Sequence, residues 1–134
     1  MTATAHKDSV LIVEDEVSLR GALRDKFIRE EFLVYEAKDG EEGLSTALAY
    51  RPDVILLDMM MPRMDGMTML ANLRSADSWS EHVPVFVLTN LGEDDKLAMK
   101  GITDDMFAHY LVKSNWSIDQ IVGKVREAIA QSRA

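Results

Sequence analysis

Val54-Ile55-Leu56-Leu57-Asp58, running on into Met59-Met60-Met61-Pro62, is the stretch that decides the fold. Four consecutive aliphatic residues lack the polar alternation of a half-solvated strand. They predict a strand buried on both faces, as inside a parallel sheet. The run ends on a carboxylate, so Asp58 falls at the strand's carboxyl edge, where open α/β sheets carry their ligands and chemistry. Pro62 keeps the chain from passing straight into a helix. Asp58 is thereby placed on a short loop at the rim of a rigid sheet.

Upstream, Arg51-Pro52 ends a helix and Asp53 leads into the strand. That helix opens after the turn Asp39-Gly40, with Asp39 as N-cap and with Leu44, Ala47 and Leu48 on one side. Phe32 to Ala37 is a short strand rich in aromatic and β-branched residues. Before it, a helix begins at Val17 and closes at Glu30-Glu31. Leu19, Leu23 and Phe27 recur at helical spacing with Ala22 and Ile28 beside them, while Arg20, Arg24, Asp25 and Arg29 take the outer face. Ser9 to Val13 is another aliphatic run, and it too ends in acids, Glu14-Asp15-Glu16.

Downstream, Asp65 is placed to cap a helix with Met67, Leu70, Ala71 and Arg74 on one face. Ser75 to His82 is polar and reads as loop. Val83 to Leu88 predicts a buried strand, with Pro84 tolerated near its start, and it ends in Thr89-Asn90. A helix of modest amphipathicity opens at Gly92-Glu93-Asp94-Asp95. Ala108 to Val112 is a fifth strand ending in Lys113. Ser117 caps a last helix in which Ile118, Ile121, Val122, Val125, Ala128 and Ile129 give the clearest 3.6-residue period of the chain.

Strand and helix thus alternate five times. This predicts an α/β, doubly wound parallel sheet with helices on both faces and right-handed crossovers. The 134 residues predict one domain over 9–131, with a flexible tail at 1–8 and a short one at 132–134, and no second domain. Cysteine is absent, which excludes disulfides and thiolate metal sites. No apolar run approaches the ~20 residues of a membrane span, and Met1 to Asp8 has no apolar core of a secretory signal. A cytoplasmic protein is expected. The net charge of −8 argues against nucleic acid and anionic membranes, and suits Mg²⁺ or basic protein surfaces; solubility alone is the plainer account of it.

Strands of a parallel sheet point the same way, so their polar ends share one rim. Glu14 and Asp15, Asp58, Thr89 and Lys113 then converge. Clustered carboxylates need a cation, and all-oxygen ligands favour a hard ion such as Mg²⁺ (or Mn²⁺). A carboxylate beside such an ion is a nucleophile for a phosphoryl group, with Lys113 and the Thr89 hydroxyl stabilising phosphoryl oxygens. Singly, each residue has an ordinary reading: turn acid, loop hydroxyl, solvated lysine. Their arrival at one edge favours the chemical one. The methionine run does not make a soft-metal site, because consecutive residues at a strand end do not converge and Met commonly fills gaps. His6, His82 and His109 are scattered and support neither a zinc site nor a triad.

With these residues in place, the chain resembles the response-regulator receiver domains, the CheY-like family of two-component signalling, from Ser9 to about Ala130. The resemblance rests on Glu14-Asp15, on Asp58 with Met61-Pro62 and Asp65-Gly66 behind it, on Thr89 and on Lys113. It implies the flavodoxin-like strand order 2-1-3-4-5. It implies that Asp58 accepts a phosphoryl group from a sensor histidine kinase or histidine phosphotransfer protein, without being a turnover enzyme. Asp15, Asp58 and the Met60 backbone carbonyl would ligate Mg²⁺, and Glu14 would act through a water. Thr89 and Tyr110 would form the switch that reshapes the face between the helix opening at Gly92 and the fifth strand. A downstream protein target, or onward phosphorelay, would read that face. A stand-alone receiver is expected, monomeric or a weak phosphorylation-dependent dimer.

The sequence departs from that pattern in places. Ser114 follows Lys113 where the family usually has Pro, and a trans bond is expected because a non-Pro cis bond costs about 2.5–4 kcal/mol. Asn90 replaces a small residue. The stretch from Gly101 to His109 lacks the usual Gly-Ala turn. Met60 and Leu91, both apolar, offer no hydrogen bond to an attacking water and predict slow self-dephosphorylation; a plain loop-covering role is the alternative. Two other functions stay open: a phosphorylation-independent interaction module, and a Mg²⁺-dependent aspartyl-phosphate phosphatase. The latter would want an acid where Met60 stands.

Overall fold

The computed structural model describes residues 7–59, 61, 63–89 and 108–133. Met60, Pro62, Asn90, Leu91, the helix expected from Gly92 and the Gly101–Phe107 stretch lie outside the described residues, as does the Tyr110 side chain.

Each aliphatic run forms a strand: β1 (Ser9–Val13), β2 (Leu33–Ala37), β3 (Val54–Asp58), β4 (Val85–Thr89) and β5 (His109–Val112). They pair in parallel in the order β2-β1-β3-β4-β5. The helices are α1 (Val17–Arg29), α2 (Gly40–Tyr50), α3 (Gly66–Arg74) and, last in the chain, α4 (Ile118–Ser132), after a short 3-10 turn at Lys113–Asn115. This is the doubly wound α/β sheet that the alternation predicts.

Strand side chains alternate between two cores. Val10, Ile12, Val54, Leu56 and Phe86 meet Leu23 and Phe27 of α1 and Ile121, Val125 and Ile129 of α4. Leu11, Val13, Ile55, Leu57, Val85 and Val87 meet Ala47 of α2 and Met69, Leu70 and Leu73 of α3. Every residue of β3 is buried. Each of its aliphatic side chains contributes about 1.5–3 kcal/mol relative to exposure. The site at its end therefore rides on a strand packed on both faces.

Caps fix the helix starts. Asp39 accepts from the Glu42 N–H at 2.9 Å, and Asp65 from the Thr68 N–H at 2.8 Å. Ser117 and Gln120 form a reciprocal capping box. Each satisfies amides that a helix start leaves without partners.

Three details of the pattern reading change. On α3 the buried residues are Met69, Leu70 and Leu73, while Ala71 is exposed and Arg74 half-buried. The helix turns its Leu70–Leu73 side inward, and Arg74 donates instead to the carbonyls of Ser80 and Val83 at 2.9 and 2.7 Å, ordering the polar 75–82 loop. On α1, Ala22 and Ile28 are exposed, while Leu23 and Phe27 are buried over the sheet with Leu19 packed beside them. Phe32 precedes its strand, packing edge-on to Phe27 at 4.9 Å. The ends of the chain also meet: Asp8 pairs with Arg133 at 2.8 Å, and Arg133 with Asp53 at 3.3 Å. No helix among the described residues is long and apolar enough to cross a membrane.

Candidate functional site

The register assembles the site. Val13 lies beside Leu57, Asp58 beside Leu88, and Thr89 beside Val112. The next residue along β1 is Glu14 and the next along β5 is Lys113. Four strand ends thus deliver Glu14, Asp58, Thr89 and Lys113 to one rim without any long loop.

Asp58 is 6% exposed, Glu14 1% and Thr89 2%. Asp15, one residue further out, is exposed. Lys113 Nζ lies 2.9 Å from Glu14 Oε1 and 3.2 Å from Asp58 Oδ1, bridging both acids. One carboxylate oxygen from each of Glu14, Asp15 and Asp58 lies within 4.8 Å of the others. The peptide bonds among the described residues are all trans, Lys113–Ser114 included. Replacement of the family's usual Pro by Ser114 therefore does not carry the ammonium away from the acids.

Burial pushes the Asp58 carboxyl up from its ordinary 3.8 to about 7; a hydrogen bond and the negative charge of Glu14 add to this, and Lys113 opposes it. Burial works against the charge on Lys113, but the hydrogen bond to Glu14 and the charges of both acids outweigh it and hold the ammonium above its ordinary range. Burial and the neighbouring Glu14 thus favour the protonated form of Asp58, and the ammonium of Lys113 works the other way. Three acids against one Lys leave the cluster short of positive charge. An all-oxygen donor set of that charge fits Mg²⁺.

The sequence reading missed three supports. The Arg20 guanidinium, assigned to the outer face of α1, donates to the Glu14 carbonyl at 2.8 Å. The Glu16 amide donates to Glu14 Oε2 at 3.2 Å, so both Glu14 side-chain oxygens have donors. Gly66 packs so close to Asp58 that a Cβ there would overlap the Asp58 carbonyl oxygen. The Gly66 amide also donates to the Met59 carbonyl at 3.0 Å. The available signal for Glu14 was its position directly after an unbroken aliphatic run, which extends the buried strand by one residue.

The chain is similar to known proteins in sequence and fold. The model of the response regulator receiver domain matches residues 10–126. Sporulation initiation phosphotransferase F of Bacillus subtilis is 33% identical over 90 residues, covering 67% of this chain and 70% of that protein. The transcriptional regulatory protein ResD of the same organism is 30% identical over 129 residues, covering 95% of this chain and 50% of ResD. The chain spans only 33% of a probable transcriptional regulator of Guillardia theta and 8% of a hybrid histidine kinase of Dictyostelium discoideum that it also matches. Among solved structures, the Vibrio cholerae chemotaxis protein CheY4 superposes with a TM-score of 0.81 at 27% identity, over 92% of this chain and 99% of that one. The shared strand order, the acids clustered at the rim of β1 and β3, and a family match spanning nearly the whole sheet agree: this chain belongs to the response-regulator receiver domains.

Proposed function

We propose that this receiver domain takes a phosphoryl group onto Asp58 from a phosphohistidine on a sensor histidine kinase or histidine phosphotransfer protein. The observation that carries the reading is the placement of Lys113 Nζ 3.2 Å from a buried Asp58 oxygen, within a cluster of three acids. An Asp58 oxygen attacks phosphorus and the P–N bond breaks, its electron pair passing to the imidazole, which carries a proton on its other ring nitrogen and so leaves as the neutral base. Lys113 follows the charge from carboxylate to phosphoryl oxygen, and the Thr89 hydroxyl, at the next strand end, donates to another. Asp15 and Asp58, with the Met60 carbonyl, would hold Mg²⁺ or Mn²⁺ and Glu14 would act through a water; the ion would neutralise charge on the phosphoryl oxygens. Before transfer, Lys113 holds the acceptor's orientation through Asp58 Oδ1 and is itself held by Glu14.

The product is an acyl phosphate that the domain loses slowly, with no turnover of an external substrate. Apolar Met60 and Leu91 slow that loss. Thr89 and Tyr110 transmit the modification to the face beside β5, where a downstream protein or a further phosphotransfer protein binds. The acidic surface keeps nucleic acid and membranes out of this exchange, and the domain works in the cytoplasm as a monomer or weak dimer.

The test is incubation with acetyl phosphate and Mg²⁺, read by intact mass, on the wild type and Asp58→Asn. One phosphoryl adduct that requires Mg²⁺ and disappears in the variant supports the proposal. No adduct on folded, Mg²⁺-binding protein overturns it in favour of a phosphorylation-independent interaction module.

A further inference from the structure

Six of the nine methionines fall between positions 59 and 69, directly after the acceptor. Among them Met59, Met61, Met64 and Met67 are half-buried and pack against the core on the α2–α3 side of the sheet, while Met69 is fully buried. Met64 differs from its neighbours in its surroundings. Its sulfur lies 3.9 Å from the Asn72 side-chain amide, a weak hydrogen bond to a thioether. Its backbone is wedged against the start of α2, where a Cβ on Gly40 would overlap the Met64 carbonyl. Beside it, Arg63 pairs with Glu41 of α2 at 3.1 Å. Two residues on, Gly66 presses on the Asp58 carbonyl. Met64 thus sits in a short segment clamped between the first turn of α2 and the acceptor's own backbone.

We propose that Met64 is an oxidation-sensitive site whose sulfoxide weakens the acceptor function of Asp58. The oxidant is a two-electron oxygen donor such as hydrogen peroxide. A sulfur lone pair attacks one peroxide oxygen, the O–O bond breaks, and the departing hydroxide takes the second peroxide proton to leave as water. Sulfur is oxidised by two electrons and the peroxide reduced by two. A dithiol-dependent methionine sulfoxide reductase reverses the step, returning the oxygen as water and leaving a disulfide. The sulfoxide oxygen is a far stronger acceptor than the thioether, and Asn72 already offers it a donor. The same oxygen is polar where Met64 packs against apolar surface. Drawing the side chain toward Asn72 pulls on a backbone with no slack on either side. The strain falls on Gly66, and through it on Asp58.

The consequence for Asp58 rests on its reading as the phosphoryl acceptor, so site, stability and acceptance are measured separately. The protein is treated with graded hydrogen peroxide and quenched. Peptide mass spectrometry locates the sulfoxides, thermal unfolding follows the packing, and acetyl phosphate with Mg²⁺ labels the acceptor. The expected result is that Met64 sulfoxide forms while the fully buried Met69 stays reduced. The melting temperature then falls in step with Met64 sulfoxide, and adduct formation slows several-fold. Reductase treatment restores both. Met64→Leu keeps the untreated labelling rate and resists the loss. Asn72→Leu, which removes the amide donor, lessens the slowing at equal Met64 sulfoxide. Oxidation of the neighbours while Met64 stays reduced overturns the proposal, as does full Met64 sulfoxide with unchanged labelling, whatever the melting temperature does. If untreated protein takes no phosphoryl group, the acceptor reading fails; a melting temperature that drops with Met64 sulfoxide and not in Met64→Leu then still upholds the oxidation site, and an unmoved one overturns it.

Discussion

Replacing Asp58 by Asn should stabilise the cation-free protein at neutral and alkaline pH, although Asn is the less reactive residue at the centre of the site. Folding raises the Asp58 carboxyl from 3.8 to about 7, chiefly through burial and then through Glu14. A group raised on folding contributes fully below its unfolded value, and that contribution is lost as pH climbs through the folded value. The penalty therefore opens near pH 4, grows to about pH 7 and is constant above. At ~1.4 kcal/mol per unit, a shift of roughly three units is about 4 kcal/mol. Screening by solvent through the exposed side of the cluster, where Asp15 lies, reduces this to about 2 kcal/mol. For a domain of this size that raises the melting temperature by about 6 °C. The assay is thermal unfolding of both proteins in EDTA across pH, with a second series in Mg²⁺. The variant should gain on the wild type as pH rises and lose its advantage in Mg²⁺, which stabilises the wild type through Asp58. Equal melting temperatures at about pH 8 in EDTA, or a variant less stable there than near pH 4 relative to wild type, would refute the reasoning.

Lys113→Met keeps the stem and removes the ammonium that bridges Glu14 and Asp58. Its expected cost in EDTA at alkaline pH is about 1–3 kcal/mol, shrinking in acid as the carboxyls protonate, with slower adduct formation from acetyl phosphate; urea titration and intact mass read the two effects. Gly66→Ala should cost about 1–3 kcal/mol by urea titration, because the added Cβ overlaps the Asp58 carbonyl. Gly123→Ala on α4, where a Cβ meets nothing within 4 Å, should instead stabilise by about 0.5–1 kcal/mol. Ser117→Ala dissolves the capping box of α4 and should lower stability by about 1 kcal/mol, with no effect on phosphorylation because the cap lies outside the acid cluster.

The sheet was legible because its signals are redundant. The three central strands are aliphatic runs, β2 and β5 mix aromatic and β-branched residues, and strict alternation with helical periods leaves few topologies. Once the strands are parallel, Asp58, Thr89 and Lys113 must share a rim, whatever the loops do. The helix faces were less legible where apolar residues outnumber the places available. Ala71 and Ile28 are apolar enough to have been assigned inward, yet Leu73 and Phe27 fill the space better, and burial follows volume and shape rather than polarity alone. Arg74 was assigned to the buried side of its helix for its spacing; what it does is satisfy two carbonyls of a polar loop, a contact set by where that loop turns.

Glu14 marks the deeper limit. By type it is a surface residue. In the structure it is nearly inaccessible and is held by Lys113, by the Glu16 amide and through its own carbonyl by Arg20. A buried carboxylate is tolerable only with such donors, and they come from β5, from its own turn and from α1. No local window of sequence contains all of them. What the sequence does carry is the register: Val13 pairs with Leu57, so the residue after each must be neighbours. Two acids forced side by side at the end of a buried sheet must share a proton, recruit an ammonium or bind a cation. The described site recruits the ammonium of Lys113, and its clustered oxygens fit the cation that the proposed phosphoryl chemistry would need.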